Sequence, residues 1–375
     1  MKEPRIGITG SGLFTPAESI SNDELVASYN AYVVRHNREH AAAIAAGSTE
    51  PLASSSSEFI VKASGIQSRH VMDKAGVLDL DSMRPRLRRR GDDEPSLMCE
   101  MGLAAARQAL QRAGRKPEDV DAVLVAASNM QRAYPAMAVE LQHYLGVTGW
   151  AYDINVACAS AAFGVQAAID AVQQQHARAV LVVSPEICSG HLNFRSRDCH
   201  FIFGDAATAV LVEPLERANG AGAYEILGTR LKTRFSNNIR NNFGFLNPAE
   251  QPPRSWDDVL FRQEGRKVFK EVVPMVVELI VGHLGDLGLQ PQDVRRFWLH
   301  QANLAMNQLI ARRVLGREPT DQESPTILDE YANTSSAGSV IAFHKHHDDL
   351  AAGDIGVLCA FGAGYSAGSV VMKRL

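Results

Sequence analysis

No stretch of this chain reaches 18 uninterrupted apolar residues, so the sequence predicts no membrane-spanning helix. Basic residues hold no surplus either. Against 42 Asp and Glu there are 38 Lys and Arg, a formal net charge of −4, which argues against a nucleic-acid binder. Cysteine is scarce and odd in number, five residues scattered at 99, 158, 188, 199 and 359. That is no disulfide framework, and the expectation is reduced thiols in the cytoplasm. The apolar run in the opening MKEPRIGITGSGLF is too short for a signal peptide and leads straight into a predicted strand. A dinucleotide fingerprint is incomplete as well. Gly10 and Gly12 are present, but Thr15 stands at the third glycine position, so a tight turn is favoured over a cofactor loop.

With 46% hydrophobic and 21% charged residues, the 375-residue chain can bury a large core and form two or three domain-sized units. Residues 22–46 read as a helix with Asn22 as its cap. From Ser96 helices alternate with apolar strands: helix 96–113, strand 120–127, helix 135–145, strand 151–157, helix 158–175, strands 179–184 and 206–213. Such alternation predicts a mainly parallel sheet covered on both faces. After a turn-rich boundary at 216–222 the pattern restarts, with strand 223–233, helix 260–285, strand 294–299, helices 303–315 and 336–351, and strands 355–360 and 367–373.

The restart resembles a repeat. PEDVDAVLVAASN (117–129) aligns with PQDVRRFWLHQAN (291–303), and a helix ending in Leu-Gly follows each. Phe203-Gly204 and Phe361-Gly362 each lead into a strand, in the same order. Two such pairs favour duplication, with halves 1–216 and 217–375.

Chemistry centres on YDINVACASAAFG (152–164), a buried strand running into a helix with Cys158 at the junction. The unpaired N–H groups and dipole of a helix N-terminus favour a thiolate, and the small residues around Cys158 leave the sulfur open to a flat electrophile. A free cysteine is more commonly just a small buried residue, so its partners decide. His300 ends the strand RRFWLH, Asn333 opens the loop NTSSAGS, and Phe361 to Gly368 (FGAGYSAG) form a small-residue loop whose N–H groups can reach a ligand oxygen. Asp205 in FGDA is read as satisfying backbone donors.

Together NVACASA, FGDA, HQAN, NTSSAGS and FGAGYSAG resemble the thiolase superfamily, and within it β-ketoacyl-acyl-carrier-protein synthase III, over about residue 5 to the C-terminus. The resemblance implies an α/β thiolase-like αβαβα five-layered fold built from two duplicated halves, and a homodimer. It implies an acyltransferase that condenses an acyl-CoA primer with malonyl-acyl-carrier protein through an acyl-Cys intermediate. Cys158, His300 and Asn333 would be catalytic, and backbone N–H groups of Cys158 and of Ala363 or Gly364 the oxyanion hole. No metal or other cofactor is called for, coenzyme A and acyl-carrier-protein thioesters being substrates. The expected partners include neither nucleic acid nor membrane.

Some residues depart from the family pattern. Thiolases carry a second cysteine where Ala360 stands; Cys359 is one residue off and, in a strand, faces the other way. Phe59 and Ala63 replace a Trp and an Arg that recognise coenzyme A, and Ala305 replaces an Arg thought to help dock carrier protein after Asn303 of HQAN. Phe59 and Asn303 are nevertheless expected to bind substrate, and Tyr134 to reach across a dimer into the partner's acyl pocket. Segments 28–57 and 73–95 read as insertions. The run Arg84 to Arg90 is a solvated charged face or a docking patch. Cys188, His191, Cys199 and His200 fit a zinc site poorly, and His344, His346 and His347 read as solvated. Two other readings stay open: a condensing or acyl-transfer enzyme of secondary metabolism, and a non-catalytic acyl-carrier-binding homologue.

Overall fold

The computed structural model describes residues 4–218 and 222–375, so residues 219–221 of the expected boundary lie outside the described residues. Nine strands form the main sheet: Ile6–Phe14 (β1), Ala122–Ala126 (β2), Trp150–Ile154 (β3), Val180–Ile187 (β4), Asp205–Pro214 (β5), Tyr224–Ser236 (β6), Val294–Leu299 (β7), Ile355–Gly362 (β8) and Gly364–Arg374 (β9). Their spatial order is β7-β8-β9-β6-β1-β5-β4-β2-β3. Only β2–β3, β2–β4 and β7–β8 pair in parallel. The other five contacts are antiparallel, which corrects the expected mainly parallel sheet. The reason lies in the connections. β8 turns into β9 through Ala363 alone, and a one-residue link permits only an antiparallel return.

Outward from the β1–β6 contact, one side runs β1, β5, β4, β2, β3 and the other β6, β9, β8, β7, an equivalent order. The aligned Pro-x-Asp segments form the same short 3-10 turn before β2 and β7. In each, the carboxylate accepts from the N–H preceding the proline, Asp119 from Lys116 at 2.9 Å and Asp293 from Gln290 at 2.7 Å. The helices that follow, Met137–Leu145 and Leu304–Leu315, both end on a left-handed glycine, Gly146 (φ 76°) and Gly316 (φ 71°).

Helices Ser160–Gln173 and Ala337–Lys345 share one core with strands from both sides of the sheet: Ala162 and Val165 pack with Val182, Leu358, Val370 and Val340. Helices Leu97–Ala113 and Met137–Leu145 cover the outer face of one half, and Gly265–Asp286 and Leu304–Leu315 the outer face of the other. Helices, one side of the sheet, helices, the other side of the sheet, helices: five layers, αβαβα.

Three local expectations change. Gly10 and Gly12 sit inside β1 rather than in a turn, because helix Leu97–Ala113 lies directly on them. A methyl group on Gly12 would come 2.0 Å from the Ala105 carbonyl oxygen, and on Gly10 2.2 Å from that of Ala109. Gly12→Ala should therefore destabilise by about 3 kcal/mol, read as a fall in thermal midpoint; an unchanged midpoint would contradict this packing. The predicted helix 22–46 breaks at His40 into Asn22–Glu39 and Ala41–Ala45. Ser21, not Asn22, caps it, accepting from the Glu24 N–H. Asn22 is instead buried against Arg69. The predicted helix 336–351 ends at Lys345, and His344 and His347 are buried rather than solvated. His344 Nδ1 lies 2.9 Å from Ser11 Oγ.

Candidate active site

Four segments meet near the layer of central helices. The first follows β3, where Ser160 Oγ accepts from the Val156 N–H at 2.8 Å and donates to the Ala157 carbonyl at 2.7 Å. These bonds fold residues 156–160 into a tight turn, with Ala157 held at φ 48° just before Cys158. A left-handed non-glycine residue is costly and persists only where its surroundings enforce it.

Cys158 lies just ahead of helix Ser160–Gln173. Its sulfur accepts from Ser335 Oγ at 3.3 Å, and the N–H groups of Ala363 and of Cys158 itself point at it. Gly362 closes the far side, where a methyl group would sit 3.0 Å from Sγ. Burial pushes the Cys158 thiol up to about 11 and the nearby Glu186 adds to the shift, against the pull of these donors. The expected helix-lowered thiolate is thereby corrected: in the free protein this group is a thiol. Alkylation of Cys158 by iodoacetamide should keep rising with pH toward about 11. A plateau reached near neutral pH would contradict it.

His300 follows β7 and is 2% exposed. Its backbone N–H donates to the Cys359 carbonyl at 2.7 Å, and its ring meets Phe361 edge-on at 5.3 Å. Burial lowers its pKa to about 4, the Ser335 backbone offsetting part of the effect, so the imidazole is neutral at physiological pH. Nδ1 is buried without a partner among the described residues.

Asn333 is pinned beside the FGDA turn: its N–H donates to the Ile202 carbonyl at 3.0 Å, and its carbonyl accepts from Gly204 at 3.1 Å. Its Oδ1 accepts from the Ser335 N–H at 2.8 Å, leaving the Nδ2 hydrogens for a ligand. Ser335 thus touches all three residues: the Cys158 sulfur through its hydroxyl, Asn333 through its N–H, and His300 through its backbone. Sequence reasoning passed over it inside NTSSAGS. Its strain, φ 50° in a residue that is not glycine, is visible only in three dimensions.

The other expected residues disperse. Of the two loop positions offered for the oxyanion hole, the N–H facing the sulfur is that of Ala363; Gly364 already belongs to β9. Asn303 caps helix Leu304–Leu315 through Oδ1 and donates to the Ala63 carbonyl at 2.6 Å. Phe59 lies under the Arg197 guanidinium, 3.9 Å from its ring centroid. Tyr134 projects outward, 85% exposed. Asp205 does accept backbone donors, from Ser189 at 2.8 Å and Met72 at 2.9 Å. In β8, Cys359 packs with Val357 and Phe361 while Ala360 packs on the opposite face with Leu358.

The basic run is largely paired: Arg86 with Asp79 at 2.9 Å, Arg88 with Glu94 at 2.6 Å, and Arg90 with Glu100. Arg88 to Arg90 rim a cavity of about 1040 Å³ whose wall includes Met98, Asn129, Met130, Ile187 and Leu260. Among the described residues, no three His, Cys, Asp or Glu side chains are placed to hold a metal ion.

Residues 152–234 match the family model for 3-oxoacyl-[acyl-carrier-protein] synthase III, and residues 284–374 match that for its C-terminal part. The chain is 61% identical to the β-ketodecanoyl-[acyl-carrier-protein] synthase of Pseudomonas aeruginosa, over 92% of this chain and 99% of that one. It is 30% identical to the β-ketoacyl-[acyl-carrier-protein] synthase III of Brucella anthropi, over 86% and 93%. The 3-oxoacyl-[acyl-carrier-protein] synthase III of Aquifex aeolicus shares the fold, with a TM-score of 0.77 at 22% identity over 98% of this chain and all of that one. So does the priming β-ketosynthase of the R1128 polyketide pathway, with a TM-score of 0.78 at 24% identity over 100% and 98%. By these matches the chain belongs to the β-ketoacyl-acyl-carrier-protein synthase III family.

Proposed function

We propose that this chain elongates a medium-length acyl-CoA primer with malonyl-acyl-carrier protein, by a decarboxylating Claisen condensation that initiates fatty-acid synthesis. The observation that carries the assignment of roles is Ser335, which links Cys158, His300 and Asn333 in one contact set.

In the first half-reaction the Cys158 sulfur attacks the acyl-CoA carbonyl, its proton leaving with the departing coenzyme A thiol. The N–H groups of Cys158 and Ala363 receive the oxyanion. In the second, malonyl-acyl-carrier protein binds with its thioester oxygen toward His300 Nε2–H and Asn333 Nδ2–H. Loss of CO2 leaves an enolate on that oxygen, where two neutral donors contribute about 3 kcal/mol each. The enolate carbon attacks the acyl-Cys carbonyl, the Cys158 sulfur leaves as a thiolate that takes up a proton from water to restore the thiol, and β-ketoacyl-acyl-carrier protein departs. Residues 1–216 supply the nucleophile; residues 217–375 supply both side-chain donors and the glycine loop.

The Pseudomonas relative supports an eight-carbon primer. A β-ketodecanoyl product contains two carbons from malonate and therefore eight from the primer. Phe59, with Arg197 stacked on it, offers a flat cationic surface suited to an adenine. A homodimer is consistent with exposed apolar side chains on one stretch, Phe235 (86%), Phe243 (67%) and Phe245 (82%), together with Tyr134, which would close the partner's cavity. No helix among the described residues is long and apolar enough to cross a membrane, in keeping with a cytoplasmic enzyme. Malonyl-dependent CO2 release measured with acyl-CoAs of two to twelve carbons should peak at eight. A maximum at two carbons would overturn the primer assignment, and no release with any of them would overturn the function.

A further inference from the structure

Behind the three site residues lies a carboxylate that their chemistry does not use. Glu186, in β4, is 1% exposed and has no cationic partner within ion-pair distance among the described residues. Burying such a group unassisted is costly. Here it is surrounded by donors. Oε1 accepts from the Ser128 N–H at 2.8 Å, the Ser336 N–H at 3.2 Å and Ser336 Oγ at 2.5 Å. Oε2 accepts from Ser128 Oγ at 2.6 Å and faces the Cys188 thiol at 3.9 Å. Two fixed N–H groups on Oε1 leave no room for a proton there, and Ser128 Oγ already accepts from Asn129 at 3.1 Å. These bonds oppose the upward push of burial on Glu186 and favour the carboxylate.

The donors come from both halves of the fold. Ser128 follows β2, while Ser336 ends the NTSS loop and precedes helix Ala337–Lys345. That loop is held at its start by the Asn333–Phe203 bridge and at its end by Glu186. Between the two sits Ser335, in the strained left-handed conformation, bonded to the Cys158 sulfur. On the C-terminal side of Ser335 that conformation is held against relaxation by Glu186 at Ser336, together with bonds from Ser336 Oγ to the Ala126 carbonyl at 3.0 Å and from the Gly338 N–H to the Ser335 carbonyl at 3.3 Å.

We infer that Glu186 is the positioning residue for condensation: it fixes the loop that presents Asn333 and Ser335 to Cys158, and it places a buried carboxylate behind that loop. The inference rests on the roles proposed above for Cys158, His300 and Asn333. It makes the two halves of the site interdependent, since one carboxylate fastens the loop of one half to a strand end of the other. It also explains why four small hydroxyl and N–H donors, rather than a lysine or arginine, surround the carboxylate. A cation would cancel that charge.

The test uses the full-length protein and two variants, Glu186→Gln and Glu186→Ala, with thermal midpoints recorded for both. Gln keeps an acceptor for the two N–H groups but removes the charge. Its midpoint for iodoacetamide alkylation of Cys158 should move down by about one pH unit, with condensation within about tenfold of the parent. Ala removes the anchor. Preformed acyl-enzyme should then condense with malonyl-acyl-carrier protein about 100-fold more slowly, while Cys158 acylation by octanoyl-CoA stays within a fewfold of the parent. An unshifted or raised alkylation midpoint in Glu186→Gln overturns the electrostatic role. Undiminished condensation in Glu186→Ala overturns the positioning role. If Glu186→Ala does not fold, Glu186→Gln decides alone through its alkylation midpoint. That readout needs no turnover, so it remains informative even if the parent protein condenses nothing and the proposed reaction itself is wrong.

Discussion

Cys158→Ser will form no acyl-enzyme, and overall condensation will fall by about 10⁴-fold or more. Even the native thiol is pushed up to about 11, and it reacts because sulfur is intrinsically nucleophilic and two N–H groups and a hydroxyl are aimed at it. A serine hydroxyl is a far weaker acid, and no base stands ready for it. His300 is neutral, but it contacts the backbone of Ser335, and the Ser335 hydroxyl is a donor toward position 158. The substitution replaces one atom by a smaller one beside Gly362, so the thermal midpoint should hardly move. Intact-protein mass after incubation with octanoyl-CoA reads the result directly. An acylated Cys158→Ser protein would contradict the account.

His300→Ala and Asn333→Ala separate the half-reactions. Each should still accept an acyl group on Cys158 within a fewfold of the parent, and each should lose about 10² to 10³ in condensation. The losses should not add in the double variant, because both donors act on one oxygen. The histidine must act as a neutral donor: with its pKa lowered to about 4 by burial, the ring is uncharged at every pH above that value. Single-turnover condensation by preformed acyl-enzyme should therefore show no break near pH 6.5, the ordinary imidazole value. A rate that changes there in the parent and not in His300→Ala would show a titrating imidazole and refute the burial argument.

Much of the site was readable in the sequence because its residues sit at element ends marked by punctuation. Cys158 at a strand-to-helix junction, His300 closing RRFWLH and Asn333 opening NTSSAGS are local features that the fold later brings together. The matching turns and helix ends of the two sides were readable for the same reason, since Pro-x-Asp turns and Leu-Gly helix ends carry their own short-range chemistry. What depended on long-range packing was not. The two glycines of β1 were taken for a turn because nothing nearby in sequence shows that Ala105 and Ala109 press on them. Strand direction was misjudged because alternation of helices and strands is silent about where a hairpin replaces a crossover, as at Ala363. The thiol's acidity was misjudged for a related reason. A helix N-terminus is a sequence-local feature, whereas enclosure of the sulfur by Gly362 and Ser335 comes from two distant segments. Ser335 and Glu186 themselves gave no signal, one being a serine among serines and the other an acid within a strand.

The most direct measurement is a two-step chase on the parent protein. Incubation with octanoyl-CoA, removal of excess thioester and peptide mapping should place one octanoyl group on the peptide bearing Cys158. Addition of malonyl-acyl-carrier protein should then clear that peptide and yield β-ketodecanoyl-acyl-carrier protein with release of CO2. An acyl group found on any other residue, or one on Cys158 that malonyl-acyl-carrier protein leaves in place, would contradict the account.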